Sequence, residues 1–403
     1  MSRFFTGNHI LFHRSIDKFR PQDISKSVSC TRQMQGLFKC VVFLDFKLEE
    51  EIDLSYFKIK PTRLINLTND CRYASFIAEV TPPSNLEQWD AHLFSTILST
   101  IFSFSVLRPI RGMRDSIIRS KLTDDDYRSL GLQSPHLILG NGSVEYTLAL
   151  KTLKKYKNSL VNTVRIVLKL SDKDYRNAVL AMHLVQLSLL NKRDDFGLAY
   201  YLLVSAIELV ATKAISGKSY KKPHELEPCW VELSKKSQVV KELHMQYKSL
   251  RGNTKYLKQR FVDFILQYCP PEKWGGLGHP QDNEVALLNR FYNGRGTSGR
   301  KVNWNWIVNK KWHEIYPSDI LQVGIRNIIV DMYDHRSSFT HEGIPPPHKK
   351  SESHNRYFDE VTIFNEQSDE PRILILPNFR LLAFIAKTSI TNYLKELNNH
   401  KIT

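Results

Sequence analysis

Between Gly197 and Ile215 the chain reads GLAYYLLVSAIELVATKAI, apolar almost all the way round a helix and interrupted by one carboxylate, Glu208. Such a segment has two homes, a lipid bilayer or the middle of a helix bundle. A charge at its centre is costly in lipid, so we read it as a central helix enclosed by other helices. A second apolar stretch, His92 to Leu107, is too short for a bilayer and is punctuated by Ser and Thr, and it too reads as a buried helix. No membrane partner is expected. Glu208 itself has two readings: a snorkelling surface position, or a partly buried carboxylate that orients a cation.

Helical spacing of apolar residues recurs on either side. Asp172 to Leu190 begins with acids and carries a continuous apolar face. Ser318 and Asp319 offer a cap and a dipole-matched acid for a helix whose stripe is Ile320, Val323, Ile325, Ile328, Ile329, Met332 and Tyr333. Gly343 and Pro345 to Pro347 prevent its continuation, the charged stretch to about Glu370 reads as an exposed loop, and a last helix is expected over roughly Asn378 to Leu397.

The first part of the chain differs. LFKCVVFLDFKL from Leu37 and ASFIAEVTPP from Ala74 read as strands, and Asp90 to Met113 as a helix ending in the basic cluster Arg108, Arg111 and Arg114. Asn141-Gly142 followed by SVEYTLAL, and then SLVNTVRIVLKL over Ser159 to Leu170, suggest further strands. We therefore expect an α+β domain over 1–170, a sensor or partner module, followed by an all-α domain over 171–403.

Composition narrows the partners. The chain has 403 residues and a net charge of +16, which favours polyanions. Five cysteines without a CxxC pair indicate neither a zinc knuckle nor a disulfide framework. With no apolar signal-peptide core at the start, a reducing cytoplasmic setting is expected. From Gly275 to Lys311 periodicity is poor, and basic residues (Arg290, Arg295, Arg300, Lys301, Lys310, Lys311) alternate with aromatic ones, Trp304 and Trp306 among them. Cations can follow a phosphate backbone while aromatic faces stack on bases, which makes a single-strand RNA surface. The alternative is a loop anchored by inward-facing tryptophans.

Arg336 and His341 are separated by four residues in RSSFTH. In so basic a chain an Arg followed by His after four to six intervening residues arises by chance roughly twice, and Arg3 with His9 and Arg176 with His183 also match. The first of these lies in a terminal segment where the sequence suggests no supporting helix, and the second can be two surface residues of one amphipathic helix. Arg336 differs in lying at the end of a strongly apolar helix, just before a glycine and prolines. The bland reading is a helix C-cap in which both cations meet terminal carbonyls. A metal site from His341, Glu342, His348 and His354 has the wrong spacing for a helical HExxH motif and is split by three prolines.

YDHRSSFTHEG, together with SAIEL around Glu208 and the flanking helices, resembles the HEPN superfamily, and within it the Apea-like branch, over about Asp172 to Leu397. RSSFTH matches that superfamily's Arg, four to six residues, His pattern. One position departs from it. The residue after Arg is often a polar amide or an acid, whereas here it is the uncharged Ser337. The resemblance implies a helical bundle, usually a homodimer, whose motifs meet in a basic cleft and cleave RNA without metal or cofactor, often in defence or toxin-like systems. It also implies that Glu208 holds Arg336. Residue chemistry fits, because a histidine can move protons at a ribose 2′-OH and an arginine can hold charge on phosphate oxygens. A non-catalytic HEPN module that binds RNA, a regulatory protein or a nucleotidyltransferase is the other expectation.

Overall fold

The run CVVFL is apolar at every position, so a strand made of it has to be covered on both faces. In the computed structural model it is strand β1 (Cys40–Leu44), buried at all five positions and preceded by helix α1 (Asn8–Phe19). The structure describes residues 8–20, 38–54, 56–66, 74–83, 86, 90–113, 118, 122–133, 137, 148, 150–220, 224–253, 256–277, 321–346, 357–365 and 368–399. Around β1 lie β2 (Ile52–Asp53), β3 (Lys58–Ile59), β4 (Arg63–Asn66), β5 (Ala74–Thr81) and β6 (Ile110–Gly112). They form an antiparallel sheet of order β2-β3-β5-β1-β6, with β4 also pairing with β5. Phe43 stands opposite Ile77 on one side and Arg111 on the other.

Helix α2 (Ala91–Val106) packs on this sheet, and α1 packs on α2, where the ring of Phe19 stacks on Phe94 at 5.1 Å. The helix expected to run from Asp90 to Met113 is shorter. Leu107 turns left-handed, with φ 55°, and Pro109 follows; the chain then joins the sheet as β6. At Gly112 an added Cβ would meet the Ser95 carbonyl oxygen at 2.6 Å, so only glycine permits this close approach of strand to helix. Arg108 lies in the bend after the helix. It grips Asp45 with Nε (3.0 Å) and Nη2 (2.9 Å), Arg111 belongs to β6, and Arg114 lies outside the described residues.

After α3 (Asp124–Gln133) comes α4 (Leu150–Leu168), where SLVNTVRIVLKL was expected to be a strand. Its β-branched residues suggest a strand, but Leu153, Leu160, Val164 and Val167, at intervals of seven, four and three, make one buried helical stripe. SVEYTLAL lies almost wholly outside the described residues.

Helix α5 (Asp172–Asn191) is capped by Ser171, whose hydroxyl accepts from the Asp174 amide at 3.2 Å. His183, read from the sequence as a possible surface residue, is half-buried. Its ring stacks on Phe12 at 3.7 Å and meets Gln186 Oε1 at 3.2 Å, while Arg176 pairs with Asp17 at 2.6 Å. Burial holds the His183 imidazole down at about 4. Between pH 6.5 and 4 the unfolded chain therefore binds a proton that the folded chain does not, and stability falls as pH falls, by at most about 1.4 kcal/mol per pH unit. Urea unfolding at pH 7, 5.5 and 4.5 should show a shallower acid loss in His183→Leu. An equal loss in the variant would remove His183 from the acid response.

The remaining elements are α6 (Phe196–Ala214), α7 (Glu227–Ser234), α8 (Gln238–Asn253), α9 (Leu257–Tyr268), α10 (Leu321–Glu342), the hairpin β7 (Phe358–Asn365) and β8 (Ser368–Pro377), and α11 (Phe379–Asn399). Helix α6 is central, with α5, α9, α10 and α11 packed around it. By length and composition it could cross a membrane, yet more than half of it is buried inside the protein. Arg260 closes its C-terminal end, donating from Nε to the Ile215 carbonyl at 2.8 Å and from Nη2 to the Thr212 carbonyl.

The hairpin corrects the expectation of an exposed loop to about Glu370 and of an all-α C-terminal part. The segments FDEVTIFN and RILILP carry strand-forming residues and pair antiparallel, and this outweighs the local charge. Buried residues from Phe12 to Leu394 form one continuous cluster in which sheet and helices share their packing.

Candidate functional site

Residues Ile325, Ile328, Ile329, Met332 and Tyr333 of α10 recur at helical intervals and are buried. Arg336 continues the same stripe, three residues beyond Tyr333, so its side chain is directed toward α6 and requires a counter-charge. Glu208 supplies it: Arg336 Nη2 lies 3.0 Å from Glu208 Oε2, with side-chain exposures of 21% and 12%. Glu208 is thus a buried acid that holds a cation, and Arg336 does not cap its own helix.

Two tyrosines frame the pair. The Tyr333 hydroxyl donates to Glu208 Oε1 at 3.4 Å. Burial, reinforced by the charge of Glu208, pushes this phenol up to about 12, so it remains a donor. The guanidinium carbon of Arg336 lies 5.7 Å from the Tyr201 ring centroid and 5.9 Å from that of Tyr333, within cation–π range. Tyr201 also faces Phe339 at 5.3 Å. Within this frame Arg336 Nε and Ser205 Oγ are buried with no hydrogen-bond partner among the described residues. Since Glu208 engages only one guanidinium nitrogen, Arg336 retains donor capacity for another acceptor.

His341 occupies the last turn of α10 and is exposed. Five residues advance a helix by about 140° and about 7.5 Å, so His341 and Arg336 take different faces. Among the described residues His341 makes no hydrogen bond or ion pair. Gly343, with φ +70°, ends the helix just beyond it. The Thr340 hydroxyl bonds to the Arg336 carbonyl at 3.0 Å. An added Cβ at Gly197 would stand 3.0 Å from Pro345 Cβ and 3.2 Å from the Phe339 ring, so the chain leaving α10 crosses the first turn of α6.

The neighbours of the pair point elsewhere. Asp334 bonds to Lys258 of α9 at 2.5 Å. His335 is half-buried and its pKa is lowered by burial, against the pull of Asp331 and Asp334. Of the expected RNA-contacting residues, Arg290, Arg295, Arg300, Lys301, Trp304, Trp306, Lys310 and Lys311 all lie outside the described residues, as do Ser318, Asp319, His348 and His354. Among the described residues no group of three or more His, Cys, Asp or Glu side chains is placed to hold a metal ion.

Tyr201 and Ser205 were not singled out from the sequence, and Tyr333 was read only as part of the apolar stripe. The signal was present, because Tyr201, Ser205 and Glu208 are four and three residues apart, which puts them on one face of α6. No protein family, curated protein or solved structure matches the chain.

Proposed function

We propose that the chain is a metal-independent endoribonuclease with a HEPN-type helical bundle, acting in the cytoplasm in a defence or toxin-like role. The observation that carries this reading is the placement of Arg336 and His341. The arginine is oriented by a buried carboxylate and two aromatic faces, and the histidine is exposed at the same helix end. In the reaction His341 removes the proton of a ribose 2′-OH. That oxygen attacks the adjacent phosphorus, the bond from phosphorus to the 5′ oxygen breaks, and the departing oxygen takes a proton from solvent, to which the His341 imidazolium returns the one it removed. Guanidinium donors of Arg336 hold the non-bridging oxygens as charge gathers on them. The products carry a 2′,3′-cyclic phosphate and a 5′-OH. Because the two side chains diverge by about 140° on one helix, we expect a homodimer in which the arginine of one copy serves the histidine of the other.

The test is incubation of the purified chain with end-labelled single-stranded RNA in EDTA, followed by analysis of the product termini. Cyclic-phosphate ends, with DNA of the same sequence left intact, are expected. Ends bearing 3′-OH and 5′-phosphate would reject the 2′-OH route. A second reading has one observation in its favour: the Glu208 pair already engages Arg336, which suits a non-catalytic module that binds RNA or a protein partner such as a nucleotidyltransferase. Tight RNA binding with no cleavage selects it.

A further inference from the structure

Helices α7 and α8 stand apart from the bundle. They are joined by a three-residue turn and fold back on each other, Glu227 reaching His244 at 3.7 Å and the Trp230 ring meeting Tyr247 edge-on at 5.1 Å, and neither packs comparably on any other described element. Their shared interior is thin. No residue of α7 is buried, and His244 alone is buried among the described side chains of the hairpin. Short helices with so little covered are marginal on their own. The apolar residues are on the outside. Six of the eleven large apolar side chains exposed among the described residues belong to this hairpin, at 37% to 67% exposure, so they make a patch and not a scatter. At about 100° per residue, Leu226, Cys229 and Leu233 stand about a quarter turn from the half-buried Trp230 and Ser234, and Val239 and Leu243 stand about a quarter turn from Val240 and His244. Both offsets have the same rotational sense, and because the helices run antiparallel they open on one side of the hairpin. The result is a single two-helix apolar face.

Charge and size select what covers it. Residues 224–253 hold four acids and five bases, a balance of +1 against +16 for the whole chain, so nothing here favours a phosphate backbone. Two copies of so basic a chain repel each other over much of their surface but not at this hairpin. Its exposed charges have both signs, Glu232 and Glu242 with Lys235, Lys236 and Lys241, which gives a two-fold contact opposite charges to exchange. The dimensions suffice as well. Helix α8 is about 24 Å long and two helices side by side are about 20 Å across, so two such faces pressed together remove on the order of 1,000 Å² from water, the lower limit for specific association.

We infer that the face formed by Leu226, Cys229, Leu233, Val239 and Leu243 docks a second copy of the chain, hairpin on hairpin, as a four-helix bundle. The contact does not rest on the ribonuclease reading and is separate from the exchange of Arg336 and His341 expected there. The hairpin follows the C-terminal end of α6, whereas the chain just after His341 crosses the first turn of α6, about 27 Å away along that helix. A chain that makes both contacts assembles beyond a dimer. Sedimentation equilibrium of the full chain over a wide concentration range reads the assembly, with the Leu233→Glu, Leu243→Glu double variant beside the parent. The variant should lose one association step, so that its mass at the highest concentration is half the parental mass. A fall from tetramer to dimer leaves both contacts standing. A fall from dimer to monomer leaves the hairpin contact and removes the exchange of Arg336 and His341. Equal masses overturn the inference whether or not the chain cleaves RNA, and leave the face to a different protein. Equal masses with flotation of the parent, but not the variant, on phosphatidylcholine vesicles assign the face to lipid and overturn it as well. Both leucines are exposed, so thermal melts of parent and variant should coincide. If the variant melts early, Cys229 supplies the second measurement. With Cys30 and Cys71 replaced by serine, and Cys40 and Cys269 buried, a short bismaleimide should link two copies through Cys229. Absence of that cross-linked dimer, at a concentration where the parent associates, overturns the contact.

Discussion

His341→Ala should lower metal-free cleavage of single-stranded RNA by a factor of about 10² to 10⁴, the range that one proton-transferring side chain supplies. The substitution is clean. The side chain is exposed in the last turn of α10 and has no hydrogen-bond or ion-pair partner among the described residues, and alanine favours a helix. Stability should therefore change by no more than about 0.5 kcal/mol. Single-turnover cleavage at saturating enzyme, compared with urea midpoints of the same preparations, separates the two effects. A variant that cuts at the parental rate would remove His341 from the chemistry. Arg336→Ala is a poorer first probe, because it leaves Glu208 buried without its cation and mixes a folding defect with a catalytic one.

The parts of the fold that could be read from the sequence are those where one physical signal dominates. Asp172–Asn191 and Phe196–Ala214 combine acids or a cap at the start with a long apolar face, and both are helices close to the expected bounds. Phe379–Asn399 follows a turn and repeats its apolar residues at helical intervals. The misreadings fall where composition and spacing disagree. In Leu150–Leu168 the valines speak for a strand and their spacing for a helix, and spacing prevails because burial of a continuous stripe outweighs a propensity of some tenths of a kcal/mol. In 358–377 charge concealed a two-stranded ladder that needs only its partner strand to form. At the site, the proximity of Glu208 to Arg336 comes from the packing of α10 on α6, 128 residues apart, and spacing within either helix does not encode it.

That packing sets the size of the second large effect. Glu208→Ala should destabilise the fold by about 3 kcal/mol, because it leaves a half-buried guanidinium without its carboxylate and the Tyr333 hydroxyl without its acceptor. Tyr333→Phe removes only that weak hydrogen bond and should cost about 1 kcal/mol. Replacing both partners, Glu208→Leu with Arg336→Leu, should restore most of the stability lost in Glu208→Ala, since a desolvated ion pair contributes little beyond an apolar pair of similar volume. Urea unfolding of the single and double variants yields the coupling energy, and additive effects would mean that the two side chains do not interact. Cleavage then distinguishes a structural pair from a positioning one. The double variant regains its fold but has lost the guanidinium, so under the ribonuclease reading it stays inactive. Glu208→Gln keeps a neutral acceptor near Arg336 and should retain part of the rate. If Glu208→Gln instead cleaves faster than the parent, the carboxylate restrains Arg336, and breaking the 3.0 Å pair is part of switching the site on.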